Sequence, residues 1–238
     1  MIHHRVIQGS QEWLRLRMGK PTASEFDRII TAVKAEPTKG EARRKYMLTL
    51  LCELILDAPR DQITTAAMDH GHEWESKARA AYEMMEGREV ELCGFCTDED
   101  GEYGASPDGF VGEEGAIEIK SPDKPEIHCG YLMDPKTLVA AYRVQTQGQL
   151  YVTGRKWTDL ISYFGGMPMV TVRVEPDPEF QVKLAEALRL FCIELALYVD
   201  IAKERGWIKP PRPEADHSRD FLSEADVEAI LDAQREGK

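Results

Sequence analysis

The sequence predicts an α/β fold of the α+β type, a mixed sheet flanked by helices, and three observations carry that prediction. Apolar residues recur at helical spacing through much of the first 85 residues. Short β-rich segments punctuated by turn residues then occupy 89–120. A helix, two strands and a long closing helix fill 136–205, so strands and helices share one stretch of chain.

The elements follow in order. Ser10 stands before Gln11-Glu12-Trp13-Leu14 as a helix cap would, and Thr22-Ala23-Ser24-Glu25 has capping-box spacing, so two short helices are expected near the start. Tyr46, Leu50, Leu51 and Leu54 predict a helix over 41–56, which Asp57-Ala58-Pro59 ends. A further helix over 65–85 has Met68, Trp74, Ala78, Ala81, Tyr82 and Met85 as its apolar members. Glu89-Val90-Glu91-Leu92 and Gly94-Phe95-Cys96 read as strands, and Asp98-Glu99-Asp100-Gly101 as a turn. Strands over 103–111 and 116–120 are joined by Gly112-Glu113-Glu114-Gly115, whose outer glycines suit a tight hairpin. After Pro122 helices resume, the clearest over 136–151, and strands over 160–164 and 170–174 and an amphipathic helix over 178–205 follow. Pro210-Pro211-Arg212-Pro213 cannot continue a helix, and Ser223 suits the cap of one last short one. Residues 1–207 are therefore expected as one domain, and 208–238 as an extended linker with a short C-terminal helix.

Composition narrows the function classes. No apolar run approaches the roughly 18 residues of a membrane span, so no membrane association is expected. The start, Met-Ile-His-His-Arg, lacks the features of a secretory signal. Five scattered cysteines suit a reducing cytoplasm better than a disulfide framework. With 30 Lys and Arg against 42 Asp and Glu, the formal charge of -12 excludes coating nucleic acid by bulk attraction. Any such contact must be local, and basic residues do cluster at Arg15, Arg17 and Lys20 and at Arg43, Arg44 and Lys45. Each cluster taken alone describes a solvated helix face.

The most informative segment is Gly104-Ala105-Ser106-Pro107-Asp108-Gly109-Phe110, followed by Glu118-Ile119-Lys120. Strand alternation puts Glu118 and Lys120 on one face and Ile119 on the other, and a hairpin returns Asp108 beside them. Pro107 cannot donate to a ladder and Gly109 relaxes the backbone, so a kink there can turn Asp108 toward its partners. Two carboxylates held together repel, and a divalent cation resolves the repulsion. Oxygen ligands suit Mg2+ or Mn2+, and an ammonium beside the ion can hold water or neutralise charge on a phosphate. Each half of the pattern alone is commonly structural, a Pro-Asp-Gly turn or a pair of surface charges.

Pro-Asp followed by Glu-x-Lys across a hairpin is the short signature of the PD-(D/E)xK nuclease fold. Three further blocks occur in order: Gln8 to Glu25, reading QGSQEWLRLRMGKPTASE; Gly71-His72-Glu73-Trp74-Glu75; and Gln145-Thr146-Gln147-Gly148-Gln149-Leu150-Tyr151-Val152-Thr153-Gly154. Together they resemble the phage lambda exonuclease and YqaJ-type viral recombinase (alkaline exonuclease) family over residues 6–174. The resemblance implies a magnesium-dependent 5′-to-3′ exonuclease on double-stranded DNA, with one or two Mg2+ ions per site and Mn2+ as a substitute. It implies Asp108, Glu118 and the backbone carbonyl of Ile119 as metal ligands, Lys120 as catalytic lysine, and Glu75 as a helix glutamate beside the metal, where water can intervene. It places Arg17, Ser24 and Ser106 at the 5′-phosphate, and Gln145 and Gln147 near the scissile phosphate. Residues two apart on a helix diverge, so Gln145 is favoured over Gln147. The family further implies linear duplex DNA as substrate, a ring-shaped homotrimer, a single-strand annealing recombinase as partner, and work in a bacterial host cytoplasm.

Cys93-Gly94-Phe95-Cys96 has the spacing of half a zinc or redox site, but adjacent His128-Cys129 is poorly arranged to complete it, so zinc is not expected. Two other functions compete: a restriction- or repair-type endonuclease on the same fold, and a DNA-end-binding module without catalysis.

Overall fold

The strands form two sheets rather than one. The computed structural model describes residues 1–59 and 66–209, and of 66–73 only the helical backbone. The linker expected after residue 207 lies outside the described residues from Pro210 onward, as do Thr65 and the short helix expected after Ser223. The first sheet is antiparallel, with β1 (Ile2–His4), β2 (Phe95–Thr97) and β3 (Gly104–Ala105) in that order. The second is mixed, in the order β4 (Gly109–Val111), β5 (Gly115–Lys120), β6 (Trp157–Ser162), β7 (Val170–Val174), with only β5 and β6 parallel. A parallel pair needs a long crossover, and α4 (Pro125–Met133) with α5 (Pro135–Thr153) supplies it.

The strand expected over 103–111 is broken. Its first part pairs with β2 and its second with β5, and Ser106-Pro107-Asp108 crosses from one sheet to the other. Pro107 has no N–H to leave unpaired in that crossing. The segment 89–92 contributes only a bridge between Glu91 and Phe110, not a strand.

Helices cover both faces of the β5–β6 pair, which is why its alternating sequence is buried throughout. On one side α3 (Ala66–Glu86) sets Ala78 and Tyr82 against Ile117, Ile119 and Ile161. On the other, α5 sets Leu138 and Leu150 against Leu160. Met85, expected in the apolar stripe of α3, is exposed and takes no part in the cluster that buries Ala78 and Tyr82. A separate cluster around Phe26, Tyr46, Met47 and Phe191 joins α2 (Glu41–Leu56) and α6 (Pro178–Glu204) to a 3-10 helix, Ala23–Arg28. Gly148 lets α5 approach that 3-10 helix, since a Cβ there would lie 2.6 Å from the Phe26 ring.

Buried Asp159 ties α3 to the sheet. Its carboxylate accepts two hydrogen bonds from Arg173, at 2.9 and 2.8 Å, and one from the Tyr82 hydroxyl at 2.7 Å. Arg43 donates to Glu194 at 2.6 Å and stacks on Phe191, so one member of the second basic cluster fastens α2 to α6. Among the described residues no helix is long and apolar enough to cross a membrane.

Candidate active site

The two faces of β5 decide which residues meet. Glu118 and Lys120 point away from α3 toward α5, whose Gln145 and Gln149 lie one helical turn apart on the facing side. The Glu118 carboxylate is 3% exposed. Its Oε1 sits 2.8 Å from Lys120 Nζ and accepts from Gln145 Nε2 at 2.5 Å, while Oε2 accepts from Gln149 Nε2 at 2.6 Å. Lys120 Nζ also donates to Gln145 Oε1 at 2.9 Å and lies 4.6 Å from the centre of the Tyr142 ring. The helix leaves regular geometry at Tyr142, and that residue presents its ring to the ammonium.

Asp108 enters from the sheet crossing. Its N–H donates to Ile117 O at 3.1 Å, and its Oδ2 accepts from Ile119 N at 2.6 Å. In an extended strand a residue's N–H and C=O leave the same edge, so the Ile119 carbonyl also projects from the edge that Asp108 occupies. No hydrogen bond reaches Asp108 Oδ1 among the described residues. Glu75 approaches from α3, accepting from Arg79 Nη1 at 3.3 Å. Burial, then the charges of Glu118 and Glu75, raise the Asp108 pKa well above the ordinary carboxylate range. Burial opposes charge on Lys120 too, but Glu118 and Asp108 outweigh it and raise its pKa. Lys120 is therefore an ammonium at neutral pH, a donor of hydrogen bonds and charge rather than a proton acceptor.

The donor set suits a hard divalent cation: carboxylates of Asp108, Glu118 and Glu75, a strand-edge carbonyl, and an Asp108 that burial and like charge leave short of compensation. Gln149 Oε1 is buried beside the same carboxylate with no hydrogen-bond partner among the described residues.

A second cluster adjoins the crossing. Ser106 Oγ accepts from Trp13 Nε1 at 3.0 Å and from Arg17 Nη1 at 3.4 Å, and the Arg17 guanidinium stacks on Trp13, 4.0 Å from the ring centre. The capping box expected at Thr22 does not form. Thr22 begins the 3-10 helix without a side-chain cap, and its hydroxyl instead faces Arg17 Nη2 at 3.5 Å and Ser24 Oγ at 3.3 Å. Arg17, Thr22, Ser24 and Ser106 thus share one polar cluster, of which Ser106 stands two residues before Asp108.

Gln147 lies elsewhere. Its Nε2 donates to Glu175 O and its Oε1 accepts from Asp177 N, both at 2.8 Å, so it anchors the entry to α6. Helical geometry turns it about 200° from Gln145, away from the carboxylates. Gln149, which sequence reasoning passed over, takes the place beside Glu118. The signal was present, because Gln145 and Gln149 have i, i+4 spacing on a helix opposite a predicted active strand. Trp13, Thr22 and Tyr142 were also passed over, and nothing in their local sequence distinguishes them from packing residues.

The family described as the YqaJ-like viral recombinase domain matches residues 12–156. The fold is similar to that of LHK-Exo, an alkaline exonuclease from Laribacter hongkongensis, at 32% sequence identity and a TM-score of 0.72. The match covers 83% of this chain and 98% of that one, and LHK-Exo is also known in complex with dAMP. A phage related exonuclease from Haemophilus somnus 129PT shares the fold at 15% identity, with a TM-score of 0.61 over 78% of this chain and 96% of that one. No curated protein sequence matches.

Proposed function

Since the chain belongs to the YqaJ-like viral recombinase family and is a nuclease with the lambda-exonuclease type of fold, we propose that it is a magnesium-dependent 5′-to-3′ exonuclease. It degrades one strand of linear duplex DNA to mononucleotides and leaves a 3′ single strand for recombination by annealing. The observation that carries this reading is the convergence of Asp108, Glu118 and Lys120 at one end of β5, under Gln145 of the facing helix.

Asp108, Glu118, the Ile119 carbonyl and Glu75, directly or through water, would hold one or two Mg2+ ions, with Mn2+ as a substitute. When bound, the ion polarises the phosphate and makes water a better nucleophile at neutral pH. Lys120 holds the attacking water or meets the charge that develops on the scissile phosphate, and Gln145 fixes the ammonium by accepting from it. Gln149 holds the second oxygen of Glu118, which leaves that carboxylate few ways to rotate. Arg17 and Ser106 supply donors where a 5′-terminal phosphate fits, with Ser24 at the margin. Family resemblance supports a ring-shaped homotrimer, an annealing recombinase as partner and a host cytoplasm as workplace. A ring reconciles the net charge of -12 with DNA binding, because a local basic lining and enclosure replace bulk attraction.

Linear duplexes labelled at the 5′ or the 3′ end, with a closed circle beside them, test the proposal in magnesium and in chelator. The 5′ label should leave first as mononucleotide, the 3′ label should stay in single strand, and the circle and every chelated sample should remain whole. A cut circle makes the protein an endonuclease. Absence of any nucleotide release makes it a binding module.

Arg17→Ala should lower the preference for 5′-phosphorylated over 5′-hydroxyl ends roughly tenfold, the worth of one or two charge-assisted hydrogen bonds. Initial rates on the two ends check this, with the melting temperature confirming an intact fold. An unchanged ratio removes Arg17 from phosphate recognition.

A further inference from the structure

The histidine that the Cys-x-x-Cys pair lacked in the sequence arrives from the other end of the chain. In β1, His3 is the cross-strand partner of Cys96. Its Nε2 lies 4.0 Å from Cys93 Sγ, the two sulfurs are 3.7 Å apart, and all three ligand atoms fall within 4.8 Å of one another. His128 takes no part: it is buried between Ser162 Oγ and Pro168 O, at 2.8 and 2.9 Å, while Cys129 is exposed.

We propose that His3, Cys93 and Cys96 form a second metal site, separate from the carboxylates, that takes a thiophilic divalent cation, Zn2+ above all. Tetrahedral zinc, with Zn–S of about 2.3 Å and Zn–N of about 2.0 Å, sets its sulfurs about 3.8 Å apart and sulfur from nitrogen about 3.5 Å. The sulfurs already stand within about 0.1 Å of that spacing, Cys93 Sγ to His3 Nε2 is about 0.5 Å too long, and the Cys96–His3 distance, within 4.8 Å, closes by at most about 1.3 Å when the imidazole swings in. Thiolate and imidazole donors select zinc over magnesium, so the two sites sort their ions by ligand chemistry. Both cysteines are buried and His3 is only half covered, so a fourth ligand, water, enters from the histidine side.

The surroundings are built for this approach. A Cβ on Gly94, inside the Cys-x-x-Cys loop, would lie 2.4 Å from His4 O and 2.5 Å from Val6 O, so only glycine lets the chain leaving β1 cross there. The Phe110 ring meets the His3 imidazole edge-on at 5.3 Å and holds its plane. The thiols lean on each other: their hydrogen bond and burial push the Cys93 thiol up, while the same hydrogen bond draws Cys96 down.

The site also reaches the catalytic frame. Gln8 Nε2 donates to Cys93 O at 2.6 Å and to Pro107 O at 2.8 Å, bridging the cysteine loop to the residue before Asp108. A metal there clamps the N-terminal strand to the sheet from which the crossing segment springs.

The test uses the full chain, purified reduced, in millimolar magnesium to occupy the carboxylates. Zinc should bind at one equivalent per chain, be withdrawn by a chromophoric chelator, and raise the melting temperature. Cobalt in its place should give a thiolate charge-transfer band in the near ultraviolet and tetrahedral bands in the visible. Cys93→Ser with Cys96→Ser should abolish the charge-transfer band, and His3→Ala should weaken binding by more than about 100-fold, beyond the usual cost of a lost supporting residue. A wild-type cobalt spectrum without the charge-transfer band overturns the site, whatever the variants do. So does a thiol count showing that Cys93 and Cys96 close into a disulfide instead of gaining metal. Nuclease activity plays no part in these readouts, so the outcome stands apart from the exonuclease proposal.

Discussion

Asp108→Asn is expected to abolish nucleotide release and, at the same time, to make the metal-free protein more stable at neutral pH than its parent. Both effects come from one cause. Asp108 is held where burial and the charges of Glu118 and Glu75 disfavour its ionised form. Its folded pKa lies above the unfolded value near ~4, so its contribution to stability is fully present below that pH and lost as pH rises through the folded pKa. An amide carries no charge, accepts equally from Ile119 N, and escapes that loss. The melting temperature of the metal-free parent should therefore fall relative to the variant as pH rises above the acid range. Magnesium reverses the order, because an ion that binds only the folded parent stabilises it by mass action. Activity should drop on the order of 10^3-fold or more, the scale seen when one electrostatic element of a preorganised site is removed. The checks are melting temperature against pH, with and without magnesium, beside single-turnover nucleotide release. Activity within tenfold of the parent, or an equal magnesium-induced rise in both proteins, would remove Asp108 from the metal site.

The second large effect belongs to Lys120→Ala. The ammonium touches Glu118, Gln145 and the Tyr142 ring at once, so its removal strips a buried carboxylate of its only close cation among the described residues. Breaking such a pair costs on the order of 3 kcal/mol in the metal-free state. Magnesium should restore most of that, because the ion supplies the missing positive charge. Nucleotide release should not return: the charge and hydrogen bonds aimed at the reacting phosphate are gone, and a loss on the order of 10^3-fold is expected. Duplex affinity should stay within a few-fold, since Arg17 and Ser106 are untouched. Binding measured in calcium, which supports association without efficient cleavage, separates the two. Turnover near that of the parent would show that the lysine serves only to balance Glu118.

Local rules explain why part of the site could be read before any coordinates. A period of two along 116–120 separates Glu118 and Lys120 from Ile119, and the structure has the first pair facing α5 and Ile119 facing α3. A period near 3.6 along 136–151 separates Gln145 from Gln147, and only Gln145 meets Lys120. The same period, one turn further, puts Gln149 on the face of Gln145, where it donates to Glu118. The Ser10 cap is likewise a matter of neighbouring residues, and its oxygen accepts from Trp13 N at 3.2 Å. The Thr22 box failed because its hydroxyl meets Ser24 inside the four residues and Arg17 outside them, and only the first of these contacts is local.

What the amino-acid order determined by itself was the succession of most elements, though not β1 or the lone bridge at Glu91, the faces on which Glu118, Ile119, Lys120 and Gln145 fall, and the chemical kind of the candidate site. These follow from steric periodicity and from the scarcity of ways to place carboxylates and an ammonium together. Tertiary structure alone decided that 103–111 divides between two sheets, that Asp159 joins Tyr82 to Arg173, and that His3 lies over Cys93 and Cys96. The last two join residues far apart in sequence, Tyr82 to Asp159 by 77 positions and His3 to Cys96 by 93. No local propensity encodes such meetings, because they depend on how whole elements pack to bury their apolar faces.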